Sequence, residues 1–162
     1  MPTHAQLKFL PYRPDQLFDL VADVGRYPEF LPWCSGARVR HRDENLLIAE
    51  LMIGFKVFRE RFTSHVTLDR PNAIHVRYLD GPFRYLNNHW RFEPRDGGTM
   101  IDFYVDFEFR SRVLQAAIGV VFNEAVRLMV AAFERRAAKV YGVPLPRGTT
   151  RVATPPLPTP GV

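Results

Sequence analysis

The sequence predicts an α+β fold in which a curved, seven-stranded antiparallel sheet wraps around a long C-terminal helix, with two short helices after the first strand. Three observations lead to this fold. Turn signals recur about every ten residues between 36 and 109, apolar and polar residues alternate between those turns, and helical spacing returns over 111–141. A sheet with one apolar face and an amphipathic helix bury those surfaces most simply against each other.

The chain opens with a strand and a helical segment. Residues 4–10, HAQLKFL, read as a strand that ends at Pro11, and Pro14 suits the first turn of a helix. The helical positions that follow are Leu17, Phe18, Leu20, Val21 and Val24. Pro28 and Pro32 each remove a backbone donor and constrain the preceding residue, so they turn the chain toward the sheet.

Six further strands are expected, at 37–42, 46–55, 58–68, 73–79, 85–93 and 99–109. The links between them are short and carry turn residues, as in Asp80-Gly81-Pro82, which implies an antiparallel meander. The last strand alternates most clearly, with Ile101 and Phe103 on one face and Asp102 on the other.

The final helix is the longest predicted element. Its apolar stripe comprises Leu114, Ile118, Val121, Phe122, Ala125, Leu128, Met129, Ala132 and Phe133, and Gly142 with Pro144 ends it. Thirty helical residues span roughly 45 Å, and a curved sheet touches a straight helix along only part of that length. We therefore predict a cavity between them within a domain at 1–142, followed by a disordered Pro-rich tail at 143–162.

Composition narrows the class of protein. The 162 residues, 46% of them hydrophobic, suit one domain, and a single cysteine cannot form an internal disulfide, which fits a reducing cytoplasm. The N-terminus lacks a leader pattern, and polar residues such as Asn123 and Arg127 interrupt the apolar stretch 113–133, so we expect no spanning helix. A net charge of +5 is compatible with an anionic partner, either a phospholipid surface or RNA, although a solvated basic surface is the more common explanation.

The inward positions supply the candidate ligand-binding residues, which are mostly aromatic or aliphatic. They are Trp33, Phe55, Phe58, Phe62, Asn88, Trp90, Phe103, Phe107, Ile118, Phe122 and Met129. Ordinary core packing is the alternative for each, but together with the long helix they predict a hydrophobic cavity. Glu60, Ser64 and Asn88 are polar at inward positions, either as handles for a ligand or because they bond to neighbouring backbone.

No local motif indicates catalysis, a metal or a cofactor. The sequence has no nucleophile elbow, zinc-binding spacing, phosphate-binding loop or dinucleotide fingerprint, and its histidines fall mainly on polar faces. Cys34 has no charged or imidazole neighbour in sequence to lower its pKa. We therefore interpret RYPEFLPWCSG as a rigid corner at the end of the cavity rather than a reactive-thiol site, and we expect a protein that is not an enzyme.

Several motifs together resemble a known family. They are Tyr27-Pro28-x-Phe30-Leu31-Pro32-Trp33-Cys34, Asp80-Gly81-Pro82-Phe83, Trp90-x-Phe92, Phe103-x-Val105-x-Phe107-x-Phe109 and Ala132-Phe133-x-x-Arg136-Ala137. This set is similar to that of the coenzyme Q-binding START-domain family, a polyketide cyclase-like group that includes the ribosome-association toxin proteins. The resemblance implies a helix-grip fold that holds ubiquinone or a related prenylated lipid and supports respiration and quinone biosynthesis. It supplies no catalytic set.

Three functions remain open at this point. The preferred one is a cytoplasmic lipid carrier that contacts an anionic membrane peripherally at its inner face. The second is a toxin that binds the large ribosomal subunit and blocks subunit joining, since Arg38, Arg40, Arg42, Arg59 and Arg61 are expected on one solvated face. That face shows few stacking aromatics in sequence, which favours the lipid. The third is a cyclase or dehydratase that uses Glu60 or Asn88. The sequence does not indicate the oligomeric state.

Overall fold

The computed structural model describes residues 3–55 and 58–142, without the side chains of Phe55 and Phe58. The tail predicted to be disordered, 143–162, lies outside the described residues. The elements in chain order are β1 (Thr3–Leu10), α1 (Pro14–Ala22), a 3₁₀ helix (Val24–Glu29), β2 (Cys34–Arg42), β3 (Leu46–Phe55), β4 (Phe58–Asp69), β5 (Ala73–Asp80), β6 (Phe83–Arg95), β7 (Gly98–Phe109) and α2 (Arg112–Tyr141).

These elements confirm the predicted fold. The seven strands form one antiparallel sheet in the order β1-β7-β6-β5-β4-β3-β2, so every neighbour except the β1–β7 pair is also adjacent in sequence. The predicted boundaries are close to the observed ones; the largest differences are that β2 begins at Cys34 and that β6 runs from Phe83 to Arg95. Pro28 lies inside the 3₁₀ helix, which carries the chain from α1 toward β2.

The inner face of the sheet packs against the helices. Leu47, Ala49 and Ile74 are almost completely buried there. Phe18 of α1 meets Phe92 of β6 edge to face at 5.8 Å between ring centroids. The core is therefore an aromatic and aliphatic layer between sheet and helices.

One predicted placement is wrong. Arg42 does not share the outer register of Arg38, because the pairing between β2 and β3 shifts between Val39 and His41. The bulge at Arg40 moves the following residues by one position, so that Arg42 lies opposite Leu47, an inner-face residue, at the end of an edge strand. Arg40 itself forms an ion pair with Glu50, with 3.1 Å between Nη2 and Oε2.

The C-terminal half of α2 is held firmly. Arg136 pairs with Glu29 of the 3₁₀ helix at 2.8 Å, and the Tyr141 hydroxyl donates to the Gln16 carbonyl at 2.7 Å. Lys8 of β1 reaches Glu134 at 2.8 Å. These contacts tie one half of α2 to three separate elements.

The N-terminal half of α2 is more exposed. The Ser111 hydroxyl caps the helix by accepting from the Leu114 amide, and Gln115 accepts from the Phe109 amide. Beyond these tethers, Val113 is 78% exposed and Val120 is 85% exposed. By length and composition α2 could cross a membrane, and 28% of its apolar window is buried; in this fold it also lines the cavity.

Candidate functional site: an apolar cavity between the sheet and α2

A cavity of about 240 Å³ separates the inner face of the sheet from α2. This volume is slightly below the range of about 300–1,000 Å³ that is usual for small-molecule sites. Burial along α2 increases toward its C-terminus, where Ala132 and Ala137 are almost inaccessible. The lining residues of α2 are thus buried toward its C-terminus, as at Phe133, and only partly buried toward its N-terminus, as at Ile118 and Phe122, and we take the latter as the open side.

The structure brings most of the predicted site residues together around this cavity. Those that line it are Trp33, Phe62, Asn88, Trp90, Phe103, Phe107, Ile118, Phe122 and Met129. The predicted contributions of Phe55 and Phe58 lie outside the described side chains. Ligand binding by these residues stays a prediction, since a lining position is also a core position.

Aromatic rings form the wall of the cavity in two clusters. Trp90 meets Phe103 at 4.6 Å and Phe133 at 5.4 Å, while Phe107 of β7 meets Phe122 of α2 at 5.5 Å. Edge-to-face and tilted pairs of this kind fix ring orientations. The wall is preformed and offers flat apolar surface to a guest.

The lining also includes residues that the sequence prediction did not select. They are Val21, Val24, Leu51, Ile53, Ile74, Val76, Phe83, Leu86, Val105, Phe109, Ala125, Val126 and Phe133. For the strand residues, the alternation of apolar and polar positions could have identified them, because they face the same side of the sheet as the selected positions. The contributions of Val21 from α1 and Val24 from the 3₁₀ helix depend on how these helices cross the end of the sheet, which alternation does not show.

Two of the polar groups at the cavity already have partners. Asn88 donates through Nδ2 to the Tyr104 carbonyl at 2.8 Å and accepts from Trp90 Nε1 at 3.2 Å. Tyr27 donates its hydroxyl proton to the Val21 carbonyl, and burial raises the pKa of this phenol far above its usual value. Asn88 therefore holds Trp90 in place, which is the bonding to neighbours considered as the alternative.

Two polar groups keep free bonding capacity. Ser64 is only 2% exposed, yet no hydrogen bond joins its hydroxyl to the part of the chain that is described. Glu60 lines the same cavity four residues earlier on β4, which places the two about 13 Å apart at 3.3 Å per residue. That separation is too long for a direct hydrogen bond between a nucleophile and its base.

Cys34 is placed as a structural residue. It is buried, its thiol donates to the Gly36 carbonyl at 3.3 Å, and burial raises its pKa. A raised thiol pKa lowers reactivity. Within the described residues, no cluster of histidine, cysteine or carboxylate side chains is suited to hold a metal ion.

The family described as "Polyketide cyclase / dehydrase and lipid transport" matches residues 10–134, which span β1 to the second half of α2. The chain belongs to this family. Its helix-grip architecture, with the sheet curved around the last helix, is the one that the matched region folds into here.

Curated relatives within the polyketide cyclase and lipid-transport family carry two kinds of name. Ribosome association toxin RatA of Rickettsia prowazekii (strain Madrid E) is 40% identical over 137 residues, which is 82% of this chain and 94% of that protein. Coenzyme Q-binding protein COQ10 homolog B, mitochondrial, of Xenopus laevis is 35% identical over 144 residues, which is 86% of this chain and 59% of that protein.

Solved structures of low sequence identity share this fold. A START superfamily protein of Mycobacterium smegmatis is 16% identical with a TM-score of 0.72 and covers 85% of this chain and 98% of its own. The Zhui aromatase/cyclase of a Streptomyces species is 17% identical with a TM-score of 0.74, over 85% of this chain and 94% of its own. The fold thus occurs in an enzyme as well as in relatives whose names describe binding.

Proposed function

We propose that the protein binds ubiquinone or a related prenylated lipid in the cavity between the sheet and α2, and delivers it without catalysing a reaction. The observation that carries this proposal is an aromatic-walled cavity whose lining is almost entirely apolar. The name of the COQ10 homolog B relative supports the choice of a quinone. Support of respiration and quinone biosynthesis from the cytoplasmic face of a membrane is the physiological role we propose.

The size of the cavity limits how much of such a lipid it holds. A volume of about 240 Å³ suits a substituted ring or the first part of a prenyl chain. Each buried methylene contributes about 0.8 kcal/mol, so one five-carbon isoprene unit contributes up to about 4 kcal/mol. A long tail would extend through the open side along α2.

The N-terminal half of α2 has features of a membrane-docking surface on the face turned away from the cavity. Val113, Ala116 and Val120 lie on one exposed helical face, at the spacing of a continuous stripe. Exposed Arg112 and Arg127 lie beyond its two ends. An apolar stripe between cations suits the surface of an anionic bilayer, so we propose that this docking face (Val113, Ala116 and Val120) rests on the membrane during transfer.

The test of lipid binding is extraction of the purified protein with organic solvent followed by mass spectrometry, together with uptake of ubiquinone from vesicles. We expect a co-purified prenylated lipid and saturable uptake. Trp33→Ala removes an indole from the cavity wall and should reduce ligand retention severalfold. Cys34→Ser, one residue away and outside the lining, is the matched control that should retain the ligand.

Two results contradict the proposal. One is protein that is consistently empty and takes up no quinone. The other is the reverse order of the two variants, with Cys34→Ser losing ligand and Trp33→Ala retaining it. Unfolding midpoints of both variants separate ligand loss from loss of the fold.

A second candidate function is association with the large ribosomal subunit. The observation that favours it is the net charge of +5, with Arg38 and Arg61 on the outer face of the sheet. RatA is the name of the Rickettsia prowazekii relative. Sucrose-gradient profiles after overexpression should show separated subunits, and unchanged profiles would remove this function.

A further inference from the structure

The outer face of the sheet carries a row of three stacked rings. His75 of β5 pairs in register with His89 of β6, which pairs with Tyr104 of β7. The ring centroids are 5.6 Å and 5.3 Å apart, with interplanar angles of 28° and 17°. The three residues are 14 and 15 positions apart in sequence, and only the strand register brings them together.

This ring row is accessible. The contacts of α1 and α2 with the sheet lie on its inner face, through residues such as Phe18 and Phe122. At the ends of the row the register neighbours are Thr67 on β4 and Ala5 on β1, both small and exposed. The outer faces of the terminal rings are thus not covered by large neighbours.

Two arginines flank the row on opposite sides. Arg77 follows His75 by two residues on β5, and Arg91 follows His89 by two residues on β6, which runs in the opposite direction. Each lies about 7 Å along its strand from the neighbouring ring. Burial lowers the pKa of His89. Electrostatic interactions with His75 and Arg91 lower this pKa further, whereas Asp102 raises it. His89 is therefore largely uncharged at neutral pH.

These arginines differ from several others in the fold that are held by carboxylates. Arg70, Arg84 and Arg136 each form an ion pair at 2.7–2.8 Å with a carboxylate. Within the described chain, neither the Arg77 nor the Arg91 guanidinium has a hydrogen bond or an ion pair, and both side chains are exposed. They are available to an external anion.

Acidic residues limit this surface on one side. Asp102 and Asp106 flank Tyr104 on β7, and Asp106 accepts hydrogen bonds from Thr3 and Tyr85. Phosphate groups are repelled at that strand, whereas an uncharged base is not. An anionic chain therefore fits across β4, β5 and β6, with only a base reaching Tyr104.

We propose that this surface, the ladder face formed by His75, His89, Tyr104, Arg77 and Arg91, binds single-stranded RNA. Bases stack against the exposed rings, and the two arginines contact phosphates. Single-strand binding surfaces combine aromatic platforms with cations in this way, because every base has a π-face and stacking tolerates any sequence. The ladder face lies on the opposite side of the sheet from the lipid cavity, and it supplies a contact surface for the second candidate function.

The test is fluorescence anisotropy with a labelled single-stranded RNA of mixed sequence, measured over a range of salt concentrations. Tyr104→Ala should weaken binding between about 5-fold and 150-fold, the range for loss of one stacked base, without changing the salt dependence. Arg77→Gln and Arg91→Gln should each lower the slope of log affinity against log salt by about 0.7. Arg135→Gln, an exposed arginine on α2, is the control for loss of one charge.

The outcomes separate the alternatives. Absence of RNA binding at low salt overturns the proposal, and so does an Arg135→Gln effect equal to that of Arg77→Gln, which would mean diffuse charge attraction. Equal competition by polyglutamate would identify an acidic peptide instead of RNA. Retained quinone uptake by all four variants would show that they remain folded and that lipid binding is a separate property.

Discussion

Tyr27 joins three parts of the fold through one side chain. Its ring meets Phe30 at 5.9 Å and Phe133 of α2 at 5.7 Å, both edge to face, and its hydroxyl donates to the Val21 carbonyl at the end of α1. A buried hydroxyl with a carbonyl partner is satisfied, so the tyrosine can lie in an apolar wall. This single residue fixes the 3₁₀ helix against both helices.

We predict that Tyr27→Phe lowers the free energy of unfolding by about 1–3 kcal/mol, because the ring packing remains while the buried Val21 carbonyl loses its donor. Urea denaturation measures the change. Tyr85→Phe, on the exposed outer face, is the control and should change stability much less. Equal losses in the two variants would contradict the role given to Tyr27.

The raised pKa of Tyr27 predicts a loss of stability at alkaline pH. Its stabilising effect is complete below the usual tyrosine pKa of about 10. Above that pH the unfolded chain releases the proton while the folded chain retains it, so the free energy of unfolding falls as pH rises. Denaturation between pH 9 and 11 should show a steeper fall for the wild type than for Tyr27→Phe.

Among the elements, the turn between β5 and β6 depends on a glycine. Gly81 has φ of +147°, and a Cβ atom there would lie 2.6 Å from the Cβ of Phe62 and 2.9 Å from the Arg61 carbonyl oxygen. Both the backbone conformation and the contact with β4 therefore require the absence of a side chain. This turn also places the ring of Phe83 against that of Phe62 at the cavity wall, with 5.4 Å between the ring centroids.

We predict that Gly81→Ala destabilises the fold by about 1–3 kcal/mol or more. Gly119→Ala is the matched control, because that glycine lies within α2 with no atom inside 4 Å of an added Cβ. It should stabilise the helix by up to about 1 kcal/mol. Thermal unfolding of both variants checks the opposite signs, and a destabilised Gly119→Ala would contradict this account.

Local sequence patterns predicted each strand, the long helix and nine of the residues that line the cavity, because alternation and helical spacing act within one element. Two features depend on pairing between elements and were not predictable. The bulge at Arg40 shifts Arg42 out of the expected face, and the ring row arises only when three strands align. In the same way, Asn88 was selected as an inward polar residue, but its partners Trp90 and Tyr104 follow from the fold.

At the scale of the whole molecule, the docking face and the cavity lie on opposite faces of the same helix, α2. The docking face carries the most exposed valines of the fold, Val113 and Val120, in the half of α2 that leaves the cavity open. Membrane contact would thus occur on the side of α2 turned away from the cavity, so a lipid that passes between the cavity and the bilayer would have to move past or displace this half of the helix.

We predict that Val113→Ser combined with Val120→Ser reduces binding to anionic vesicles roughly tenfold or more, because two apolar side chains no longer enter the bilayer surface. Vesicle co-sedimentation and quinone transfer between vesicles measure the effect. Val140→Ser, at the far end of α2 and 50% exposed, is the control. Unchanged co-sedimentation by the double variant would contradict the docking face.

If the cavity holds the proposed lipid, that lipid becomes a removable portion of the hydrophobic core. Without a guest, rings such as Phe107 and Phe122 lack partner atoms on one side and lose the dispersion contacts that close packing supplies elsewhere. A ligand at one hundred times its dissociation constant adds about 2.7 kcal/mol to the free energy of unfolding. The empty protein would then be the less stable form, and its abundance in a cell would follow the supply of the proposed lipid.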